Sequence, residues 1–179
     1  MNKNHQTEIE LANRFQLKDL KSGVHIIRDE NGFRDNEIKI DYILLISIDR
    51  AFSGTGGILL IKQESRKFRN YENREKLVKL VFTTDETGKL GSTYQEDEYE
   101  NFTDLIPAFK RVDLLDANRG MTLDGIIYQI YLDTVNIQTR IEVNNPNHES
   151  WKKLESEFWR MGVNLVEKSE DEKLLRLFE

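Results

Sequence analysis

The sequence predicts an α+β fold: a mainly antiparallel sheet of about six strands, packed by a C-terminal amphipathic helix, in a single domain over residues 1–179. Three observations carry that prediction. Several segments alternate apolar and polar residues with a period of two. Two of these are joined by a tight turn, and a late segment repeats its large apolar residues at steps of three and four. No regular strand–helix–strand rhythm accompanies them, so a parallel sheet is not expected.

Residues 8–17 come first in the chain. Ile9, Leu11, Phe15 and Leu17 alternate as in a strand, while Thr7 and Glu10 suggest a helix start; the alternation favours a strand. Residues 37–48, EIKIDYILLISI, place Ile38, Ile40, Tyr42, Leu44, Ile46 and Ile48 on one face of a long strand. Ile43 and Leu45 on the other face suggest that its centre is covered on both sides. Residues 57–63 and 76–83 read as two further strands, the second pointing Val78, Leu80 and Phe82 one way. Ile126, Tyr128, Ile130 and Leu132 then alternate up to a turn at residues 133–136. Ile137, Thr139, Ile141 and Val143 alternate back, with Gln138, Arg140 and Glu142 on the wet side, which is an antiparallel hairpin.

Helical signals lie mainly in the last third. Trp151, Leu154, Phe158, Met161 and Leu165 form a core-facing stripe, with Asn147 as the expected cap and His148 as an exposed residue of the first turn. Pro107 suits the first turn of a helix reaching about Ala117. Ser169–Glu172 reads as a capping box that opens a short last helix.

Composition narrows the function classes. A chain of 179 residues can bury a core without help from metal or disulfide. The absence of cysteine excludes disulfides, thiolate zinc sites and cysteine nucleophiles. The formal charge of −6 and sequence pI near 5.3 disfavour general nucleic-acid binding and suit a basic partner. No leader-like apolar region opens the chain and no apolar run has membrane length, so a soluble cytoplasmic protein without a membrane partner is expected.

Few places look like chemistry. Ser53-Gly-Thr-Gly-Gly57 lacks the Gly-Lys-Ser/Thr ending of a phosphate loop and runs into the strand Ile58–Ile61, so it reads as a hairpin connection. His5, His25 and His148 have no metal-pair spacing, and neither a metal nor a cofactor is expected. An EF-hand window from Asp85 to Glu96 fails, because Leu90 takes the obligatory glycine position and Lys89 a ligand position. Asp85-Glu-Thr-Gly88 is an ordinary turn sequence. After its apolar strand it also resembles the nucleophile motif of haloacid-dehalogenase-type phosphotransferases. The resemblance covers this run alone, with Lys89 where that family usually has threonine. It implies an aspartate attacking phosphorus, a later lysine, an acidic pair for magnesium and a parallel Rossmann-like sheet.

Charge distribution carries more. Within residues 84–104, Asp85, Glu86, Glu96, Asp97, Glu98, Glu100 and Asp104 face one base, Lys89, for a local charge of 1 − 7 = −6. Tyr94, Tyr99 and Phe102 are interleaved with them. Carboxylates can steer a basic protein while amphipathic rings anchor it; the alternative is a solvated loop with core-facing rings. The preceding segment 62–79 holds Lys62, Arg66, Lys67, Arg69, Arg74, Lys76 and Lys79 against Glu64, Glu72 and Glu75, or 7 − 3 = +4. With Phe68 and Tyr71 it could touch nucleic acid, or it could pair with its acidic neighbour.

The expectation is therefore a small acidic protein-binding module, not an enzyme, of the kind that occludes a basic partner as immunity proteins neutralise toxin nucleases. Its binding residues would be Asp85, Glu86, Tyr94, Glu96, Asp97, Glu98, Tyr99, Glu100 and Asp104. Two alternatives remain: a hydrolase or phosphotransferase using Asp85, and a nucleic-acid-associated regulatory module using residues 62–79.

Overall fold

The alternating segments pair into one seven-stranded antiparallel sheet in the computed structural model, which describes residues 3–50, 54–67, 73–85, 89–98, 105–117, 125–167 and 169–179. Its strands are β1 (Gly23–Arg28), β2 (Arg34–Arg50), β3 (Gly54–Lys67), β4 (Asn73–Thr84), β5 (Leu90–Glu98), β6 (Ile126–Thr134) and β7 (Gln138–Asn144). They lie in the order β5-β4-β3-β2-β6-β7. β2 is long enough to take β1 along its first half and β6 along its second. Four helices accompany the sheet among the described residues: α1 (Lys3–Arg14), α2 (Leu105–Phe109), α3 (Glu149–Val166) and α4 (Glu172–Phe178). None of them is long and apolar enough to cross a membrane.

The face assignment of β2 differs from the sequence expectation. Ile40 pairs with Gln63 and Tyr42 with Lys62, which leaves Asp41 as an extra residue, a β-bulge. Beyond it the alternation changes phase. Leu44, Ile46 and Ile48 face one core, whereas Ile38 and Ile40 join Ile43 and Leu45 in the other. The bulged Asp41 is held by Lys62 at 3.0 Å and Lys39 at 3.2 Å. Burial pushes its carboxyl upward, but hydrogen bonds from both lysines outweigh this and hold it below its usual value of 3.8.

Both faces of the sheet are covered. On the first, α2, α3 and α4 bury Ile46, Ile58, Leu60 and Val81 beneath Trp151, Leu154, Phe158 and Leu177. On the second, Leu11 and Ala12 of α1, with Leu17 and Leu20 after it, cover Ile40, Leu59, Ile61 and Leu80. Residues 8–14 are thus helical rather than extended. Glu8, Leu11, Ala12 and Phe15 have helical spacing, whereas Ile9, which supported a strand, is exposed. The helix ends in a Schellman closure: Gln16 takes φ 56°, its N–H donates to Asn13 O, and the Leu17 N–H donates to Ala12 O at 3.0 Å. That closure turns Leu17 into the second core.

Three helix starts and stops also shift. His148, not Asn147, caps α3, its ring nitrogen accepting the Ser150 N–H at 3.3 Å, while the N–H groups of Asn147 and His148 donate to Ala117 O. α2 stops at Phe109, well short of Ala117. Asp113 there accepts the Leu115 N–H, and its carbonyl accepts the Trp151 indole N–H at 2.7 Å, which ties the chain to α3 instead. Asp171 caps α4 by accepting from Lys173 and Leu174, with Ser169 two residues before it as acceptor for the Asp171 N–H.

Candidate functional site

The acidic segment expected to bind a partner is partly a strand. Residues 90–98 form β5, which is an edge of the sheet among the described residues. The register sets Glu98 opposite Lys76, Asp97 opposite Leu77, Glu96 opposite Val78 and Tyr94 opposite Leu80. Tyr94, Glu96 and Glu98 therefore occupy second-face positions and Asp97 a first-face position. Glu86, Tyr99, Glu100 and Asp104 lie outside the described residues, as does Phe102. Strand β5 itself had no clear sequence signal, because its alternation is polar with polar.

Asp85 closes the β4–β5 hairpin. Its N–H donates to Lys89 O at 3.2 Å and its carboxylate accepts the Lys89 N–H at 3.0 Å. β4 is antiparallel to both neighbours, unlike the parallel setting that the phosphotransferase resemblance implies. The glycine-rich run also feeds a strand: Arg50 pairs with Gly54, and Gly56 and Gly57 lie within β3, with residues 51–53 outside the described residues. The basic run is divided by the pleat. Lys62, Arg66 and Lys79 share the first face, Arg74 and Lys76 the second, and Lys62 is committed to Asp41. Arg69, Phe68 and Tyr71 are outside the described residues.

Two polar networks inside the fold are structural. The Asp133 carboxylate is buried and accepts hydrogen bonds from the Ser22 amide at 2.8 Å, the Ser22 hydroxyl, the Tyr131 hydroxyl at 2.9 Å and the Gln138 amide at 2.8 Å. Burial raises its carboxyl; these donors outweigh that and leave it below its usual 3.8. Burial, with the Asp133 charge beside it, pushes Tyr131 up to about 12. Every acceptor position is filled, so the network pins the chain entering β1 to β6 and leaves no group for chemistry. In the other network Tyr128 donates to Glu155 and accepts the Trp159 indole N–H at 3.2 Å. Burial and the Glu155 carboxylate both raise Tyr128. Arg50 lies 5.7 Å from the Trp159 ring centroid and donates to Leu177 O, joining α4 to the sheet. Among the described residues no group of three or more histidine and carboxylate side chains is placed to hold a metal.

One concavity is found among the described residues on the second face, beside Thr7 and Glu8 in the first half of α1. Rows across the strands show why. Leu80, Leu59, Leu45 and Tyr131 form an apolar row that is buried under the helix layer. The next row is Phe82, Gly57, Ser47, Gln129 and Glu142. Gly57 leaves a gap in it, and a Cβ there would stand 2.2 Å from Ile46 O, so no larger residue fits. The resulting groove encloses about 210 Å³, with Ser47, Thr55, Thr84, Gln129 and Glu142 along it. Glu8 of α1 and Arg140 of β7, 2.8 Å apart, make one wall. Sequence reading placed Arg140 and Glu142 on the wet side of a hairpin but had no means of setting them beside Ser47, which is distant in the chain.

No protein-family model matches this chain, and no characterised protein or solved structure matches it either.

Proposed function

We propose that the protein is a protein-binding module that occludes a basic partner, as an immunity protein does a toxin nuclease, with β5 and the acidic residues around it as the docking edge. The observation that carries this reading is the position of Glu96, Asp97 and Glu98: three successive acidic residues on a strand that, among the described residues, has a neighbour on one side only. An edge strand offers main-chain donors and acceptors to an incoming segment, and the charge steers a cationic one to it. The same carboxylates oppose edge-to-edge pairing between copies of the chain, which keeps the edge available. A phosphotransferase reading has less support, since the Asp85 carboxylate serves the hairpin. A nucleic-acid reading has less too, since the basic residues are split between two faces.

The test is affinity capture from the native host at mild salt, followed by kinetics with the captured partner. Glu96, Asp97 and Glu100 are reversed to lysine together; Glu98, the register partner of Lys76, is kept. The expected result is a stoichiometric basic protein, association slowed by about tenfold or more, and an unchanged melting temperature. An acidic partner, or an association rate indifferent to the reversal, refutes the proposal.

A further inference from the structure

We infer that the groove on the second face is a binding site for a small organic cation, an ammonium carried on a short apolar body. Its volume of about 210 Å³ suits a molecule smaller than a typical drug-sized ligand. Its base is apolar, from Leu45, Phe82 and Tyr131, while Ser47, Thr55 and Thr84 offer hydroxyl oxygens above it. That combination accepts a carbon skeleton below and hydrogen-bond donors above.

Charge decides the sign of the ligand. Among the described residues that line the groove the cation is Arg140, and it is engaged: it bonds Glu8 at 2.8 Å, and its guanidinium lies 5.2 Å from the Tyr131 ring centroid. Glu142 is exposed and oriented by the Gln129 amide at 3.1 Å. Asp49 follows Ser47 on the same face of β2, exposed, in register with Thr55. Among the described lining residues Glu8 and Glu142 stand against Arg140, a charge of 1 − 2 = −1, and Asp49 adds a further carboxylate on the same sheet face. An anion would meet that charge with Arg140 already paired to Glu8, whereas an ammonium gains charge-assisted hydrogen bonds from Glu142 and the hydroxyls. The inference is independent of the acidic edge, since β5 residues 96–98 lie elsewhere on the sheet.

The experiment uses three probes of matched size and different charge, phenethylamine, 2-phenylethanol and phenylacetate, followed by amide chemical shifts at constant ionic strength. Phenethylamine is expected to give saturable shifts at Ser47, Gln129 and Glu142 in the millimolar range, with 2-phenylethanol weaker and phenylacetate silent. Glu142→Gln should weaken the amine about tenfold, the loss of one charge-assisted hydrogen bond. Thr55→Phe, which fills the groove and suits a strand, should abolish the shifts at an unchanged melting temperature. Binding of phenylacetate as strong as that of the amine, shifts mapping elsewhere, no saturable shift, or an indifferent Glu142→Gln would each overturn the inference.

Discussion

Gly162 in the middle of α3 offers a test in which two known effects have opposite signs. On propensity alone, Gly162→Ala should stabilise the helix by about 1 kcal/mol. The packing argues the other way. A Cβ at Gly162 would stand 2.0 Å from Phe178 Cε1 and 2.2 Å from Cδ1. Reaching an ordinary contact of about 3.5 Å requires the ring to retreat about 1.5 Å. Phe178 is poorly placed to do so, because it is buried with its ring centroid 5.8 Å from Phe158 and 5.3 Å from Trp159. Overpacking of this kind costs roughly 1–3 kcal/mol, so the net effect is a loss of about 1 kcal/mol and a fall in Tm of about 2–4 °C. The decisive assay is a double-mutant cycle by thermal and urea unfolding. In a Phe178→Ala background the obstacle is gone, and Gly162→Ala should then stabilise by about 1 kcal/mol. A Gly162→Ala variant that is more stable than wild type in both backgrounds would refute the packing argument.

Other outcomes follow from the polar contacts. Asp133→Ala leaves the Ser22 amide without its acceptor and the buried Tyr131 hydroxyl with only the long contact to Leu20 O at 3.4 Å, at about 1–3 kcal/mol each, so urea unfolding should show a loss of roughly 3 kcal/mol. Because the folded-state carboxyls of Asp133 and Asp41 are depressed, their stabilising contribution is fully present above pH 3.8 and is lost as pH falls below it. Melting curves should therefore drop on acidification through that range, less steeply in Asp133→Ala. His148→Asp supplies a stronger acceptor at the N-cap of α3 and a negative charge at its positive end, so Tm should rise, by about 0.5–1 kcal/mol of stability. A lower Tm would mean that the His148–Ser150 contact matters more than the cap.

How much was legible in the sequence depended on the range of the signal. The β6–β7 hairpin and the α3 stripe are periodicities within twenty residues, and each element appears where its pattern lies. The helix at residues 3–14 was misread because Ile9 and Leu11 imitate alternation, whereas only docking shows that Leu11 is buried and Ile9 exposed. Strand β5 was missed because an edge strand needs no apolar face, so hydrogen bonding to β4 rather than burial defines it. The acidic run and Asp85 were visible as residues; their placement on a sheet edge and in a hairpin turn was not.

The chain by itself determined the class of fold, since period-two and period-3.6 patterns are set by local backbone geometry and survive without knowledge of any neighbour. Only the tertiary structure decided which face each residue takes. One extra residue at Asp41 inverts every side chain after it on β2, and that bulge shows only in the pairing with β3, where Lys62 holds the Asp41 carboxylate. The groove has the same origin: Gly57, Ser47 and Gln129 become one row through strand register, which long-range pairing sets and local sequence does not.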